Sequence, residues 1–579
     1  MKPKILLKRK ILALTLVSAI LTLSFIGCSQ TENKSFEEFT HELFINEITA
    51  NLINLHYTIE NPSEYGITDY EVSLGDFSKE TRDASKSELQ QTMDELKKYE
   101  HANLTKEEKL TYDLLADYLN NQILLSDYDL YYEPLSFSGG LQMELPILYA
   151  EYEFNHEKDV EDYLEMIALT DEYFAQILDF EKEKSAAGLF MSDDLCKKVI
   201  ESCEAFLENT ENHYLITTFE NRLDKLELSE QKVASYIRQN TEILQKQLYP
   251  AYENMITELE SLMGSGTNNG GICHFENGKE YYELLVYSET GCDDTIDVLY
   301  ERIENQCMKD LVVCSNLYQK DEGIVDKSSY LEWEFETPDA ALTTLQNKIT
   351  EDFPTPPETT YAINYVDPAL EEFLSPAFYI VAPVDNYEEN VIYINEGYVS
   401  SDIYAFTTLA HEGYPGHLYQ TVMTYNYEYP DIRSILNYSG YVEGWATYVE
   451  MLSYHYADID EDIASFLSHN QAATLSLYAL SDIGLHYYGW TEQEMYDFWA
   501  GYGITNEKAI KEITQLILSE PGNYLKYYVG YIEFLNLKDV AKQQLRDDYN
   551  DLSFHRAILD IGPAPFHIIE EYLKDFYYN

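Results

Sequence analysis

Over most of the chain, apolar residues recur three and four positions apart among Glu, Lys and Tyr, the spacing that lines one face of a helix. The pattern predicts helices over residues 36–130, broken around Asn61-Pro62-Ser63, and further helical stretches over residues 157–262 and 294–317. Ser136-Phe137-Ser138-Gly139-Gly140 marks a loop, and residues 264–271, Gly-Ser-Gly-Thr-Asn-Asn-Gly-Gly, mark a longer flexible segment. Residues 354–400 break the helical spacing. There Phe378–Ala382 and Asn390–Asn395 read as two strands joined by a turn at Asp385-Asn386. Ser400, Ser401 and Asp402 then offer an N-cap to a helix carrying Ile403, Phe406, Leu409 and Ala410. Glycine (25) and proline (17) are sparse and no internal repeat is present, so the expected class is mainly α. We read residues 36–579 as one catalytic unit of two helical lobes, with a lobe boundary near 264–271.

Charge narrows the partners. Acidic residues outnumber basic ones by 103 to 38, a formal net charge of −65, which argues against a nucleic-acid partner because phosphate binding needs cationic side chains. Most of this charge is expected to be solvated surface, with a cleft that draws in cationic ligands as a further use. The first residues stand apart. Lys2, Lys4, Lys8, Arg9 and Lys10 precede an apolar run from Ile11 to Ile26, then Gly27-Cys28-Ser29. That is a secretory signal over 1–27, and its end resembles a bacterial lipobox, with Cys28 the lipidated N-terminus and 28–35 a tether. Ordinary cleavage or an uncleaved anchor are the alternatives, although the run is short for a spanning helix. The expected location is extracytoplasmic, lipid-anchored to the bacterial cell membrane and touching it only through the lipid. Six further cysteines stand at 196, 203, 273, 292, 307 and 314. Two antiparallel helices would allow 196 to join 314 and 203 to join 307, with 273 and 292 closing a hairpin, but spacing does not fix connectivity.

The chemistry gathers at His411-Glu412-Gly413-Tyr414-Pro415-Gly416-His417. Zinc hydrolases commonly carry two histidines four residues apart on a helix, with a glutamate beside the first as general base. Here the second histidine comes six residues on, which would leave the two about 120° apart around an unbroken helix. Pro415 removes a helical hydrogen bond and Gly416 tolerates unusual dihedrals, so a break that returns His417 to the metal is the expectation. Downstream, Glu443 and Glu450 in Tyr441-Val-Glu-Gly-Trp-Ala-Thr-Tyr-Val-Glu450 share one helix face. One can ligate while the other orients a ligand histidine. His411, His417 and Glu443 would meet the three protein ligands of catalytic Zn2+, leaving one position open. The competing readings are a buried His417 bonded to a backbone carbonyl and two glutamates on an amphipathic surface.

These segments closely resemble a bacterial family known as domain of unknown function 885, which carries His-Glu-x-x-Pro-Gly-His-x-x-Gln followed by Glu-Gly-Trp-Ala-x-Tyr-x-Glu, matched here at His411–Gln420 and Glu443–Glu450. The resemblance extends to Gly139–Pro146, Gly278–Tyr282, Tyr527–Gly530 and Phe554–Gly562, departing at Arg556, where the family usually has an acid. It implies an overall plan similar to helical zinc peptidases such as carboxypeptidase Taq and angiotensin-converting enzyme: two lobes around a deep groove, with a small β hairpin at its edge. By that likeness the 378–395 hairpin would bind substrate backbone by strand addition, Tyr527 and His555 are candidates to stabilise the oxyanion, with Tyr524 a rival to Tyr527, and Gln420 would support the ligands.

The function expected is zinc-dependent hydrolysis of short extracytoplasmic peptides, with Glu412 as the base. A carboxypeptidase would need a cation for the terminal carboxylate; Arg433, Lys526 and Arg556 are available, and the sequence does not choose among them. The rival readings are a lipid-anchored peptide- or metal-binding protein without catalysis, and a metal-dependent hydrolase of a non-peptide amide or ester. No Gly-x-Ser-x-Gly elbow supports serine chemistry. Residue preference, scissile position and oligomeric state are not encoded legibly.

Overall fold

Helices start where the sequence supplies caps. Ser35 and Thr105 each accept from a backbone N–H three residues on, while Glu38 and Glu108 return the bond to the cap backbone. The computed structural model describes residues 34–578 apart from positions 367, 369, 370, 372, 373, 398–400 and 428. The signal segment 1–27 and the lipidation residue Cys28 lie outside the described residues. The chain is mainly helical with one small sheet. The helices expected over 36–130 are Phe36–Ile48, Leu52–Thr58, Lys79–Leu96 and Lys106–Leu125, and the break at Asn61-Pro62-Ser63 extends further than the sequence indicated. Residues 66–78 form no helix, and Gly66 and Gly75 both take positive φ (76° and 91°) there.

A large apolar core runs through most helices, and a second cluster gathers Trp499, Ile510, Ile517 and Tyr524. The glycine-rich segment 264–271 is a loop tied down by two bonds: Gly264 N–H donates to Asp193, and the Thr267 hydroxyl to the Gly188 carbonyl. No helix among the described residues is long and apolar enough to cross a membrane.

None of the pairings that two antiparallel helices would allow is formed; all six described cysteines are free. Cys196 and Cys203 sit on helix Asp193–Phe206, which packs on Tyr249–Leu262, where they meet the Leu259 carbonyl and the Met255 sulfur. Cys307 and Cys314 lie on Ile296–Lys320, which packs instead on Glu461–Ile483. The two cysteine-bearing helices therefore have different partners. Cys273 meets the Leu485 carbonyl and Cys292 the Glu533 carboxyl, so that pair does not close either.

The sheet has the order β1-β3-β2, with β1 Thr360–Tyr365, β2 Ala377–Ile380 and β3 Glu389–Ile394. β2 and β3 are the two expected strands and pair antiparallel, Phe378 opposite Tyr393. β1 pairs parallel to β3, with Ile363 opposite Ile392, and was not foreseen. Its side chains are mostly exposed, so the apolar alternation that signals a half-buried strand is weak. β2 is an edge strand, and its Tyr379 N–H donates to Glu412.

Candidate metal centre

Asp402 caps the helix Ile403–Glu412, its carboxylate accepting from the Tyr404 and Ala405 N–H groups at 3.0 Å each. The helix stops at Glu412 and a new one begins at His417 and runs to Tyr425. Between them the Tyr414–Pro415 peptide is cis, and the Pro415 carbonyl accepts from the Trp445 indole at 2.8 Å. Gly416 has no alternative: a Cβ there would stand 1.8 Å from the His411 carbonyl oxygen. The broken helix folds the two imidazoles together, their centroids 4.8 Å apart and their planes at 84°.

Glu443 reaches them from helix Ser439–Ser453. Its Oε2 lies 3.6 Å from His411 Nε2 and 3.5 Å from His417 Nε2. Those separations are too long for hydrogen bonds, and this oxygen is buried with no hydrogen-bond partner. They do match the spacing of about 3.4 Å between neighbouring ligands of a tetrahedral ion, from bond lengths near 2.1 Å. The far side of the His411 ring is held by Glu450, whose Oε2 is 3.2 Å from Nδ1. This is the carboxylate–imidazole arrangement that fixes the tautomer and orientation of a metal ligand. Burial opposes protonation of His411, but Glu443 and Glu450 outweigh it and push its pKa to about 10. Burial likewise opposes ionisation of Glu443, yet His417 and His411 hold it well below the usual carboxylate range. An ionised, buried carboxylate oxygen facing two imidazole nitrogens fits a divalent cation among three protein ligands.

Glu412 lies beside this cluster. Its Oε2 accepts from Tyr379 N–H at 3.0 Å, a contact the sequence did not signal, and burial raises its pKa although His411 and His417 counter it. Glu412, His417 and Glu443 line a cavity of about 530 Å³, within the range of small-ligand sites. Gln420 lines the same cavity, but its buried Nε2 has no partner and is not bonded to either histidine.

Tyr527 arrives on helix Asn523–Leu545 through a seam without side chains. A Cβ on Gly444 would stand 2.4 Å from Gly530 Cα, and one on Gly530 only 2.0 Å from the Gly440 carbonyl oxygen. Backbone against backbone, the helices place the Tyr527 ring 6.4 Å from the His411 ring, and its buried hydroxyl has no partner. Tyr524 turns elsewhere, packing on Tyr478 at 4.7 Å in the second core. His555 is not part of the cluster. Its Nε2 bonds Tyr448 Oη at 2.9 Å, its Nδ1 the Asp352 carbonyl at 2.6 Å, and its ring stacks on Phe353. With both nitrogens engaged and its pKa lowered by burial to about 4, His555 braces the helix that carries Glu443.

A second group of possible ligands, Cys292, Asp294 and Glu533, also lies within 4.8 Å of one another. Arg302 occupies it, 2.7 Å from Glu533 and bonded to Asp294. Burial, with Glu533 beside it, keeps the Cys292 thiol protonated. A guanidinium already stands where an ion would sit.

Residues 60–573 match the family described as "Bacterial protein of unknown function (DUF885)". None of the curated proteins compared with the chain matches it. In backbone the chain is similar to the crystal structure of a candidate lipoprotein from Colwellia psychrerythraea, at 18% identity and a TM-score of 0.83, covering 94% of this chain and 99% of that one. A candidate lipoprotein of unknown function from Shewanella oneidensis is similar at 15% identity and a TM-score of 0.64, covering 93% and 100%. At such identities these likenesses speak for the fold, while the family match spans nearly all of the described residues. The chain is a member of the DUF885 family of bacterial proteins.

Proposed function

We propose that this protein is a metal-dependent hydrolase of short peptides, with His411, His417 and Glu443 holding Zn2+. The observation that carries the reading is the buried, unpartnered Glu443 Oε2 facing two imidazoles at 3.5 and 3.6 Å, at the wall of a cavity that also holds Glu412. When bound, zinc supplies Lewis acidity toward a carbonyl and acidifies water. Glu412, oriented by Tyr379 N–H, takes a proton from the attacking water and delivers it to the leaving amine. Tyr527, whose buried hydroxyl has no partner, is our candidate donor to the oxyanion that develops on the scissile carbonyl. Phe378 and Tyr379 of the edge strand β2 line the cavity, which suits an extended peptide laid along that strand. A likeness in plan to helical zinc peptidases such as carboxypeptidase Taq, with two lobes around a groove, belongs to this proposal. So does anchoring outside the membrane through a lipid on Cys28, which accords with the description of both structural neighbours as candidate lipoproteins.

Metal analysis of the purified protein, together with Glu412→Gln assayed on a mixed peptide library, tests the reading. One zinc per chain, with activity lost and metal kept in the variant, is the expected result. Absence of stoichiometric metal in the wild-type protein rules the mechanism out.

A further inference from the structure

Arg433 lines the same cavity as Glu412, His417 and Glu443, whereas Lys526 and Arg556, the other cations the sequence offers for a terminal carboxylate, do not. It stands on the short turn Asp431–Ser434 and is only 7% exposed. Its Nη2 donates to the Ile561 carbonyl and its guanidinium lies over the Tyr429 ring, 3.8 Å from the centroid. Its Nε and Nη1 have no hydrogen-bond partner, it makes no ion pair with a described carboxylate, and burial, opposed by the phenols Tyr429, Tyr438 and Tyr441, lowers its pKa. In a chain with 103 acidic residues, a buried guanidinium without an ion pair is uncommon; Arg222 is the other among the described residues, and it does not line this cavity. Glu47, also at the cavity wall, does not compensate it, because burial raises the Glu47 pKa to about 8 and leaves it mostly protonated at neutral pH. A guanidinium's planar fork of donors matches a carboxylate.

The helix His417–Tyr425 measures how far this group stands from the metal centre. His417, Gln420, Thr421 and Thr424 all line the cavity, positions i, i+3, i+4 and i+7 of one face. Gly562 marks the far end. A Cβ built on it would lie 3.7 Å from Thr424 Cγ2 and 3.2 Å from Arg433 Nη2, so these two side chains are neighbours. Thr424 is seven residues beyond His417, about 10 Å along the axis. An extended peptide covers that in about three residues.

We propose that Arg433 binds the free terminal carboxylate of a peptide, and that the bond presented to Glu412 lies two or three residues from that end. The cleavage position rests on the hydrolytic reading above; the binding does not. In the reaction, the water oxygen bonds to the acyl carbon, the C–N bond breaks, and the released di- or tripeptide leaves as an amine carrying the transferred proton.

The test compares a five-residue peptide bearing a free carboxylate with its C-terminal amide. Calorimetry on Glu412→Gln, which leaves the peptide uncut, should show the amide bound about 10- to 100-fold more weakly. Adding Arg433→Gln should weaken the acid by a similar factor and erase the difference, and Arg433→Lys should restore part of it. Mass spectrometry of wild-type digests should show di- or tripeptides released from the carboxyl end. Equal binding of acid and amide with Arg433 intact overturns the proposal without relying on any Arg433 variant folding. An acid preference that persists in Arg433→Gln overturns it too, and release of single residues overturns the spacing. Acid-selective binding without hydrolysis removes the peptidase reading and supports the Arg433 site; hydrolysis indifferent to the carboxylate does the reverse.

Discussion

Among the described residues, two places bring three possible metal ligands within 4.8 Å, and they are not alike. At Cys292, Asp294 and Glu533, Arg302 sits between the two carboxylates and the thiol keeps its proton. At His411, His417 and Glu443 no Lys or Arg enters the cluster, and a buried carboxylate oxygen is left facing two imidazoles. Proximity of ligand types is common in so acidic a chain. What separates the two is that a guanidinium already fills one, while the other leaves a buried carboxylate oxygen without a hydrogen bond.

The largest effect that would break this contrast is on metal content. His417→Ala is expected to abolish stoichiometric zinc, measured by elemental analysis, while Cys292→Ser leaves it unchanged; the opposite result reverses the assignment. Next comes the proposed base. Glu412→Gln is expected to lower kcat on peptides by about 10²- to 10⁴-fold with metal content intact, since that is the usual contribution of a positioned proton acceptor. Third, Glu450→Gln removes the carboxylate behind His411 without removing a ligand, and should weaken zinc affinity about 10- to 100-fold in a chelator competition. The smallest effect belongs to the other cluster. Arg302→Met leaves Glu533 and Asp294 without their cation, and urea denaturation should show a loss of about 1–3 kcal/mol with zinc unaffected.

Much of the centre was legible because its chemistry is local. Pro415 and Gly416 announced a helix break, and the seven-residue interval between Glu443 and Glu450 put both on one face. What the sequence withheld was non-local. Nothing near Tyr379 says that its N–H will orient Glu412, because that bond depends on an edge strand meeting a helix end 33 residues away. β1 was missed because its partner is parallel and its faces are largely wet. The cysteine pairings left open by the sequence do not form for a related reason: helical spacing puts two cysteines on one face but does not say which neighbour that face meets. His555 shows the same limit, its family motif being intact while the fold engages both of its nitrogens away from the cluster.

The glycine contact between helices Ser439–Ser453 and Asn523–Leu545 has a bearing on how the protein moves. Because backbone meets backbone at Gly440, Gly444 and Gly530, no rotamer change can part the two helices a little. Opening the site at that wall means separating core elements, so amides flanking the seam should exchange with solvent only through global unfolding.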